Sequence, residues 1–189
     1  ALNALAASPD ILKTARGPRV ITPHSGEMAR LLGTTAEAVD ADRMGSAARA
    51  AVKFSAIAVL KGPRTVVAEP GGRLFVIPTG NAGMATGGTG DVLTGLIAGL
   101  MAQRLAPVAA ALLGAYAHGL AGDMARDERT ELSVPASDVA ARVAAAFRRI
   151  RTGAGPGEDR KALPTGRRPG WGWWRGAVCS WCCSPRCRP

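Results

Sequence analysis

A glycine-rich segment that ends in a single carboxylate is the part of this sequence best suited to chemistry. Gly80 to Asp91 reads GNAGMATGGTGD and stands immediately ahead of a long apolar pattern of helical period. Glycines let several backbone N–H groups converge on one concavity, and a helix N-terminus adds partial positive charge there. Asp91 would then take a proton from a hydroxyl that attacks a phosphoryl group. The alternative is a plain turn whose Asp91 only caps the helix. The anion hole is predicted to consist of Gly87, Gly88, Thr89 and Gly90.

Two further polar segments come directly after short apolar runs of strand type. Lys61 to Thr65 follows Ala56 to Leu60, and Thr22 to Glu27 follows Arg19 to Ile21. Ligands of open α/β sheets gather at the carboxyl ends of strands, so both segments are candidate binding loops. His24 is suited to binding a substrate at neutral pH. The alternatives are a solvated turn and a loop histidine that packs on its neighbours. The candidate nucleotide-binding residues are Lys61, Gly62, Pro63, Arg64 and Thr65.

Strand and helix patterns alternate through the first 150 residues and predict an α/β layered sheet with a hairpin on or beside it. His118 lies in the uncharged stretch Leu105 to Gly122, which predicts a buried helix and not a membrane span; His118 itself is predicted to be structural. The other predicted helices are 3–15, 25–32 with Ser25 as N-cap and Gly33 as its end, 35–54, 91–104, 109–126 and 137–149 with Ser137 or Asp138 as cap. The predicted hairpin joins 65–68 to 73–77.

Charge, cysteine and tryptophan are all skewed toward the end of the chain. Residues 1–150 hold 16 basic and 12 acidic side chains, net +4, whereas residues 151–189 hold 8 and 2, net +6. All four Cys and all four Trp lie after residue 170, so the first 150 residues are consistent with a reducing, cytoplasmic compartment. We place the domain end near residue 150. The remainder, 151–189, is predicted to be a disordered basic extension, out of frame or unselected, without function.

Taken together, these motifs resemble the ADP- or ATP-dependent NAD(P)H-hydrate dehydratase family of the ribokinase-like superfamily. The most specific match is Asn81 to Gly95, NAGMATGGTGDVLTG, and Thr22 to Glu27 resembles the family's Thr-Pro-His-Pro-Gly-Glu with Ser25 in place of the second proline. Ala1 to Leu5 resembles the end of the family's Asp-Ala-Asp-Ala-Leu-Asn-Ala-Leu stretch. The resemblance runs to about Ile150. It implies a ribokinase-like three-layer α/β/α sandwich, which we expect to be incomplete in its N-terminal half and therefore unstable or prone to aggregation.

The resemblance implies a cofactor-repair reaction. ADP phosphorylates the ring hydroxyl of the S-epimer of hydrated NADH or NADPH, and loss of phosphate restores NADH or NADPH, with AMP as the other product. The family's assignments make His24 and Asp91 substrate-binding residues, Asp91 the catalytic base, and Lys61 to Thr65 with Gly90 the adenine nucleotide site. They also imply Mg²⁺, ADP or ATP as co-substrate, a homo-oligomer when complete, and in some members an epimerase domain upstream. No nucleic-acid or membrane partner is expected.

Two other functions stay open at the level of sequence. A ribokinase-like kinase for a small alcohol, such as a vitamin precursor, would share the glycine-rich loop and Asp91 but release a phosphorylated product. A nucleic-acid- or metal-binding protein would instead act through the tail, where Cys179 to Cys183 contains a Cys-x-x-Cys and basic residues stand among tryptophans.

Overall fold

Four short strands form one mixed sheet, and its two parallel strands decide where the polar segments meet. The computed structural model describes residues 2–7, 17–130, 132 and 134–153, so the predicted tail lies outside the described residues beyond residue 153. The elements in chain order are α1 (Leu2–Ala7), β1 (Val20–Ile21), α2 (Ser25–Leu32), α3 (Ala36–Ala41), α4 (Arg43–Phe54), β2 (Ile57–Leu60), β3 (Val66–Ala68), β4 (Leu74–Val76), α5 (Thr89–Ala102), α6 (Pro107–Glu128) and α7 (Ala136–Thr152).

The strands lie in the order β1-β2-β3-β4. β1 pairs with β2 in parallel, with Val20 opposite Ile57, whereas β2, β3 and β4 pair antiparallel. The predicted hairpin is confirmed as β3 and β4. Because β1 and β2 are parallel, their carboxyl ends meet at one edge of the sheet. The two polar segments that follow them are therefore neighbours in space.

Helices cover both faces of the sheet, so the three-layer α/β/α arrangement is confirmed. Successive side chains of a strand point to opposite faces. Ala58 and Leu60 accordingly join a core with residues of α2, α3 and α4, and Ile57 and Val59 join a second core with residues of α5 and α6. All four residues of β2 are buried, as expected for a strand covered on both faces.

The helix predictions hold for most elements, with three corrections at helix ends. The N-cap of α2 is His24 and not Ser25, which is the first helical residue. The single helix predicted over 35–54 is two helices, because the Asp42 side chain accepts a hydrogen bond from Gly45 N at 2.9 Å and starts α4 anew. Helix α7 follows Pro135 with no side-chain cap, so the capping roles of Ser137 and Asp138 are wrong.

Other ends agree with the sequence pattern. Gly33 ends α2 in the left-handed conformation, at φ 71°. Helix α6 begins two residues earlier than predicted, at Pro107, because proline suits the first helical position. Among the described residues, no helix combines the length and the apolar character that a membrane span requires.

Candidate active site

The end of β1, the end of β2 and the start of α5 converge on one edge of the sheet. The Lys61 backbone N–H donates to the Pro23 carbonyl at 2.8 Å, which ties the two strand ends together. The Thr22 and Thr94 hydroxyls lie 3.1 Å apart, and Thr94 donates to the Gly90 carbonyl at 2.9 Å, which ties β1 to the first turns of α5. The three motifs predicted separately from the sequence are therefore brought to one place.

A lysine ammonium lies directly over the N-terminus of α5. A Cβ placed on Gly90 would lie 2.9 Å from Lys61 Nζ, so only glycine leaves this space to the ammonium. The same Nζ lies 3.6 Å from Glu27 Oε2, and both side chains are about three-quarters buried. A partly buried cation and a helix N-terminus that face the same space both favour a bound anion.

The Glu27 carboxylate contacts both His24 and Lys61 at the end of β1. Its Oε2 accepts from the His24 backbone N–H at 2.9 Å and lies 3.5 Å from His24 Nε2. In return, His24 Nδ1 accepts from the backbone N–H groups of Gly26 and Glu27, so the pair forms a capping box with an imidazole in place of the usual hydroxyl. His24 Nδ1 therefore acts as an acceptor, and the half-exposed ring turns Nε2 toward Glu27 Oε2.

The glycine-rich loop leaves donors open where an anion would sit. Among the described residues, the backbone N–H groups of Gly87, Gly88 and Gly90 have no hydrogen-bond partner. Gly88 adopts a left-handed conformation at φ 89°, and its carbonyl accepts from the N–H groups of Asp91 and Val92. Three of the four predicted residues of the anion hole thus offer free donors.

Thr89, the fourth predicted residue, is occupied within the loop. Its buried hydroxyl lies 2.8 Å from the carbonyls of both Met84 and Thr86, and its N–H lies 3.5 Å from the Thr86 carbonyl. The side chain therefore shapes the loop and is not free to bind a ligand.

Asp91 is exposed in the first turn of α5. Among the described residues, its carboxylate makes no hydrogen bond and no ion pair, and the N-terminus of α5 has no side-chain cap. The capping alternative requires a hydrogen bond from this carboxylate to the first turn, and the described residues show none. The carboxylate is left free to accept a proton.

The candidate nucleotide loop, residues 61–65, is a tight turn. Gly62 has φ 131°, a conformation that favours glycine, and Arg64 has φ 52°, which is uncommon for a residue with a side chain. Thr65 donates to the Gly62 carbonyl at 3.3 Å and closes the turn. Pro63 and Arg64 are exposed. Lys61 is thus the member of this loop that contacts the start of α5.

Helix α6 holds the glycine-rich loop from behind. Asp123 accepts from the Gly80 N–H at 2.9 Å and from Asn81 Nδ2 at 3.0 Å. Thr79 donates to the Tyr116 carbonyl at 2.9 Å, and a Cβ on Gly119 would lie 2.6 Å from the Thr79 carbonyl. These contacts were not predicted from the sequence, although the glycines of α6 are a recognisable signal of close backbone approach.

His118 lies beneath the site as well as in the core. Its Nε2 is 2.9 Å from the Thr89 carbonyl, which can only accept, so Nε2 carries a proton. Burial lowers the pKa of His118 and the charge of Lys61 lowers it further, while the bond to Thr89 opposes the shift. The ring is therefore a neutral support for the first turn of α5.

A pH dependence of stability follows from this support. Because the folded pKa of His118 is lowered, the unfolded chain takes up a proton first as the pH falls below about 6.5. The contribution of His118 is thus complete above that pH and is lost as the pH falls toward the folded pKa. We expect the urea midpoint to fall between pH 7.5 and 5, and to fall less in His118→Gln. Equal falls in both proteins would contradict this.

The solved structure of a ribokinase-like superfamily protein from Enterococcus faecalis aligns at a TM-score of 0.61 and 29% identity, covering 78% of this chain and 50% of that one, so the chain has a ribokinase-like α/β fold. Within that class, the chain belongs to the NAD(P)H-hydrate dehydratase family, whose profile matches residues 1–144.

Similarity to individual proteins agrees with the family profile. The chain is 55% identical over 139 residues to the bifunctional NAD(P)H-hydrate repair enzyme Nnr of Moorella thermoacetica, covering 74% of this chain and 26% of that enzyme. It is 41% identical over 153 residues to the ADP-dependent (S)-NAD(P)H-hydrate dehydratase of Neisseria meningitidis, covering 80% and 51%. The ADP/ATP-dependent NAD(P)H-hydrate dehydratase from Bacillus subtilis, co-crystallized with ATP/Mg²⁺, aligns at a TM-score of 0.68 and 34% identity, covering 70% and 48%. The chain thus spans about half or less of these proteins.

Proposed function

We propose that this chain carries nucleotide- and substrate-binding residues of an ADP-dependent dehydratase for the S-epimer of hydrated NADH and NADPH, a carbon–oxygen lyase. Family membership supports the reaction. The observation that carries the proposal is the Lys61 ammonium over Gly90, next to free loop N–H groups and the unpaired carboxylate of Asp91. Such an arrangement binds a phosphoryl group and places a base beside it.

The residues divide into a phosphate-binding set and an acceptor-binding set. Lys61 and the N–H groups of Gly87, Gly88 and Gly90 bind the transferred phosphoryl group, and the 61–65 turn binds the rest of the nucleotide. His24 contacts the hydrated nicotinamide through the exposed part of its ring. Thr89 acts by shaping the loop, as its occupied hydroxyl indicates.

The proposed reaction has two steps. Asp91 accepts the proton of the ring hydroxyl as its oxygen bonds to the β-phosphorus of ADP, and the bond from that phosphorus to the bridging oxygen breaks to release AMP. The ring C–O bond then breaks, phosphate leaves with the bonding electrons, and the adjacent ring carbon gives up a proton to solvent as the double bond is restored. The products are NADH or NADPH, AMP and phosphate.

Magnesium fits this site only together with the nucleotide. Among the described residues, no three His, Cys, Asp or Glu side chains form a group that could hold a metal ion. Mg²⁺ commonly takes several of its ligands from phosphates and water, so the bound nucleotide would supply them here while Asp91 stays free as the base. Bound there, Mg²⁺ would neutralise charge on the phosphates.

Recovery of reduced nicotinamide tests the proposal. The chain is incubated with hydrated NADH, ADP and Mg²⁺ while absorbance at the NADH band and AMP release are followed, with the Neisseria meningitidis enzyme as positive control. We expect NADH and AMP to appear together. A stable phosphorylated product would instead support the small-alcohol kinase class, and no ADP binding by the folded chain would contradict the proposal.

The Gly90→Ala variant tests ADP binding separately from folding stability. A Cβ at this position meets only the far end of the Lys61 side chain, at 2.9 Å from Nζ, and alanine is a better helix former than glycine. We expect unchanged or slightly higher stability and roughly tenfold weaker ADP binding, because the ammonium is pushed off the helix N-terminus. Calorimetric titration and urea unfolding measure the two effects. Gly95→Ala, which meets nothing within 4 Å, is the matched control.

Several partner assignments stay predictions. An upstream epimerase domain is in keeping with the word bifunctional in the name of the Moorella relative. The homo-oligomer, the cytoplasmic location and the choice of ADP over ATP are untested expectations of the family resemblance.

A further inference from the structure

The guanidinium of Arg43 lies under the turn that carries Lys61. Nη2 donates to the carbonyls of Leu60 at 3.2 Å and of Lys61 at 3.1 Å. A Cβ on Gly62 would lie 3.0 Å from the same nitrogen, so the guanidinium packs directly against the turn. Arg43 itself is in the first turn of α4, and its side chain is only 18% exposed. The end of β2 is therefore fastened to the first turn of the helix that precedes it, 17 and 18 residues earlier in the chain.

The other side of the guanidinium is held by two residues of neighbouring helices. Nη1 donates to Asp40 Oδ1 at 3.1 Å and to the Ser25 hydroxyl at 3.3 Å. Ser25 also donates to Asp40 at 2.5 Å. The bond from Ser25, and after it the bond from Arg43, lower the pKa of Asp40 and keep it anionic. Ser25 stands where the family pattern has proline. Because proline has no hydroxyl, the bonds that Ser25 makes to Arg43 and Asp40 cannot form with the family's residue.

These contacts hold the backbone from which the Lys61 side chain extends. Two carbonyls and the glycine that flank Lys61 are held by one rigid, planar group, and the Lys61 N–H is held by Pro23. A lysine on a mobile backbone would lose much conformational entropy on binding phosphate. A fixed backbone lowers this cost because the first bonds of the Lys61 side chain already point toward Gly90. Arg43 has no contact with Gly90 or Asp91 among the described residues, so any effect on the nucleotide phosphate passes through the turn and Lys61.

We propose that Arg43 is a positioning residue for phosphate binding, acting by holding the Leu60–Gly62 turn so that the Lys61 ammonium stands over the N-terminus of α5. The proposal rests on the proposed function, because it takes the nucleotide phosphate as the ligand of Lys61. The proposal requires a guanidinium, whose planar set of donors bonds two carbonyls and the Asp40 carboxylate at once. A lysine ammonium cannot make these three bonds in one plane.

A double-mutant cycle on ADP binding tests the proposal. The dissociation constants of ADP and of adenosine are measured for the wild-type chain, Arg43→Met, Lys61→Met and the double variant, at a temperature where urea unfolding shows each to be folded. We expect Arg43→Met to weaken ADP binding about tenfold and adenosine binding little, and to have no further effect once Lys61 is Met. Arg43→Lys, which keeps the charge and disturbs the fold less, should resemble Arg43→Met.

Arg49→Met is the matched control. Arg49 is on the same helix and also bonds two side chains, Asp42 and Ser46, but it does not contact the β2 turn. ADP binding should be unchanged in this variant. The positioning role would be overturned if the losses of ADP binding energy in Arg43→Met and Lys61→Met simply add in the double variant. It would also be overturned if both Arg43 variants bind ADP as tightly as the wild-type chain. In either case the proposed nucleotide site would remain supported. Absence of any loss in Lys61→Met would overturn the proposed phosphate site, and the role of Arg43 with it.

Discussion

Replacement of Asp91 by Asn should lower the rate of NADH recovery about 10²- to 10⁴-fold, the usual contribution of a positioned general base. Asparagine has nearly the same shape but cannot accept the proton of the ring hydroxyl. ADP binding should persist or strengthen, because a negative charge next to the phosphates is removed and the loop N–H groups stay in place. The measurements are NADH absorbance under saturating substrates and calorimetric titration with ADP.

The control for this substitution is Asp127→Asn. Asp127 is an exposed carboxylate near the end of α6 that pairs with Arg126. Its replacement changes the net charge by the same amount far along the chain from the glycine-rich loop, so the rate should be unchanged. A normal rate in Asp91→Asn would remove Asp91 from the chemistry. Parallel losses of rate and of ADP binding would make its role one of binding and not of proton transfer.

Gly119→Ala should destabilise the protein by about 1–3 kcal/mol, because the new Cβ overlaps the chain that enters the glycine-rich loop. That Cβ would lie 2.4 Å from Thr79 Oγ1 and 2.6 Å from the Thr79 carbonyl carbon and oxygen. Backbone atoms cannot rotate away, so α6 or the loop must shift. The better helix propensity of alanine offsets about 1 kcal/mol at most. Urea unfolding measures the loss, and weaker ADP binding should accompany it.

Gly99→Ala is the control, and we expect it to change folding stability in the opposite direction. Gly99 is also inside a helix, α5, but a Cβ there meets nothing within 4 Å. We expect it to stabilise the protein by about 0.5–1 kcal/mol through helix propensity and the reduced entropy of the unfolded chain. The two alanine variants should therefore move the urea midpoint in opposite directions. Movement in the same direction would show that the close approach of α6 to Thr79 does not govern stability.

Local patterns were sufficient for most elements. The apolar run of β2, the hairpin turn, the apolar periodicity of α5 and the stop at Gly33 are all signals carried by a few adjacent residues. Two of the three errors fall where a side chain bonds the backbone: His24 replaces Ser25 as the cap of α2, and Asp42 divides the predicted helix 35–54. Both depend on which polar atom reaches a free N–H, and residue type alone leaves several candidates open.

The candidate site likewise has features that the sequence predicts and features that only the tertiary structure shows. The sequence by itself determined the loop and its carboxylate, because glycine content, a following helix and Asp91 are adjacent in the chain, and it determined the strand-end position of Lys61. Only the tertiary structure decided that Lys61 faces Gly90, that Thr89 is occupied, and that Arg43 and Asp123 hold the two loops. Arg43 bonds carbonyls 17 and 18 residues away, and Asp123 bonds a loop 43 residues away. Every residue has a carbonyl and almost every residue an N–H, so such partners carry no mark in the sequence and are chosen by the packing of helices on the sheet.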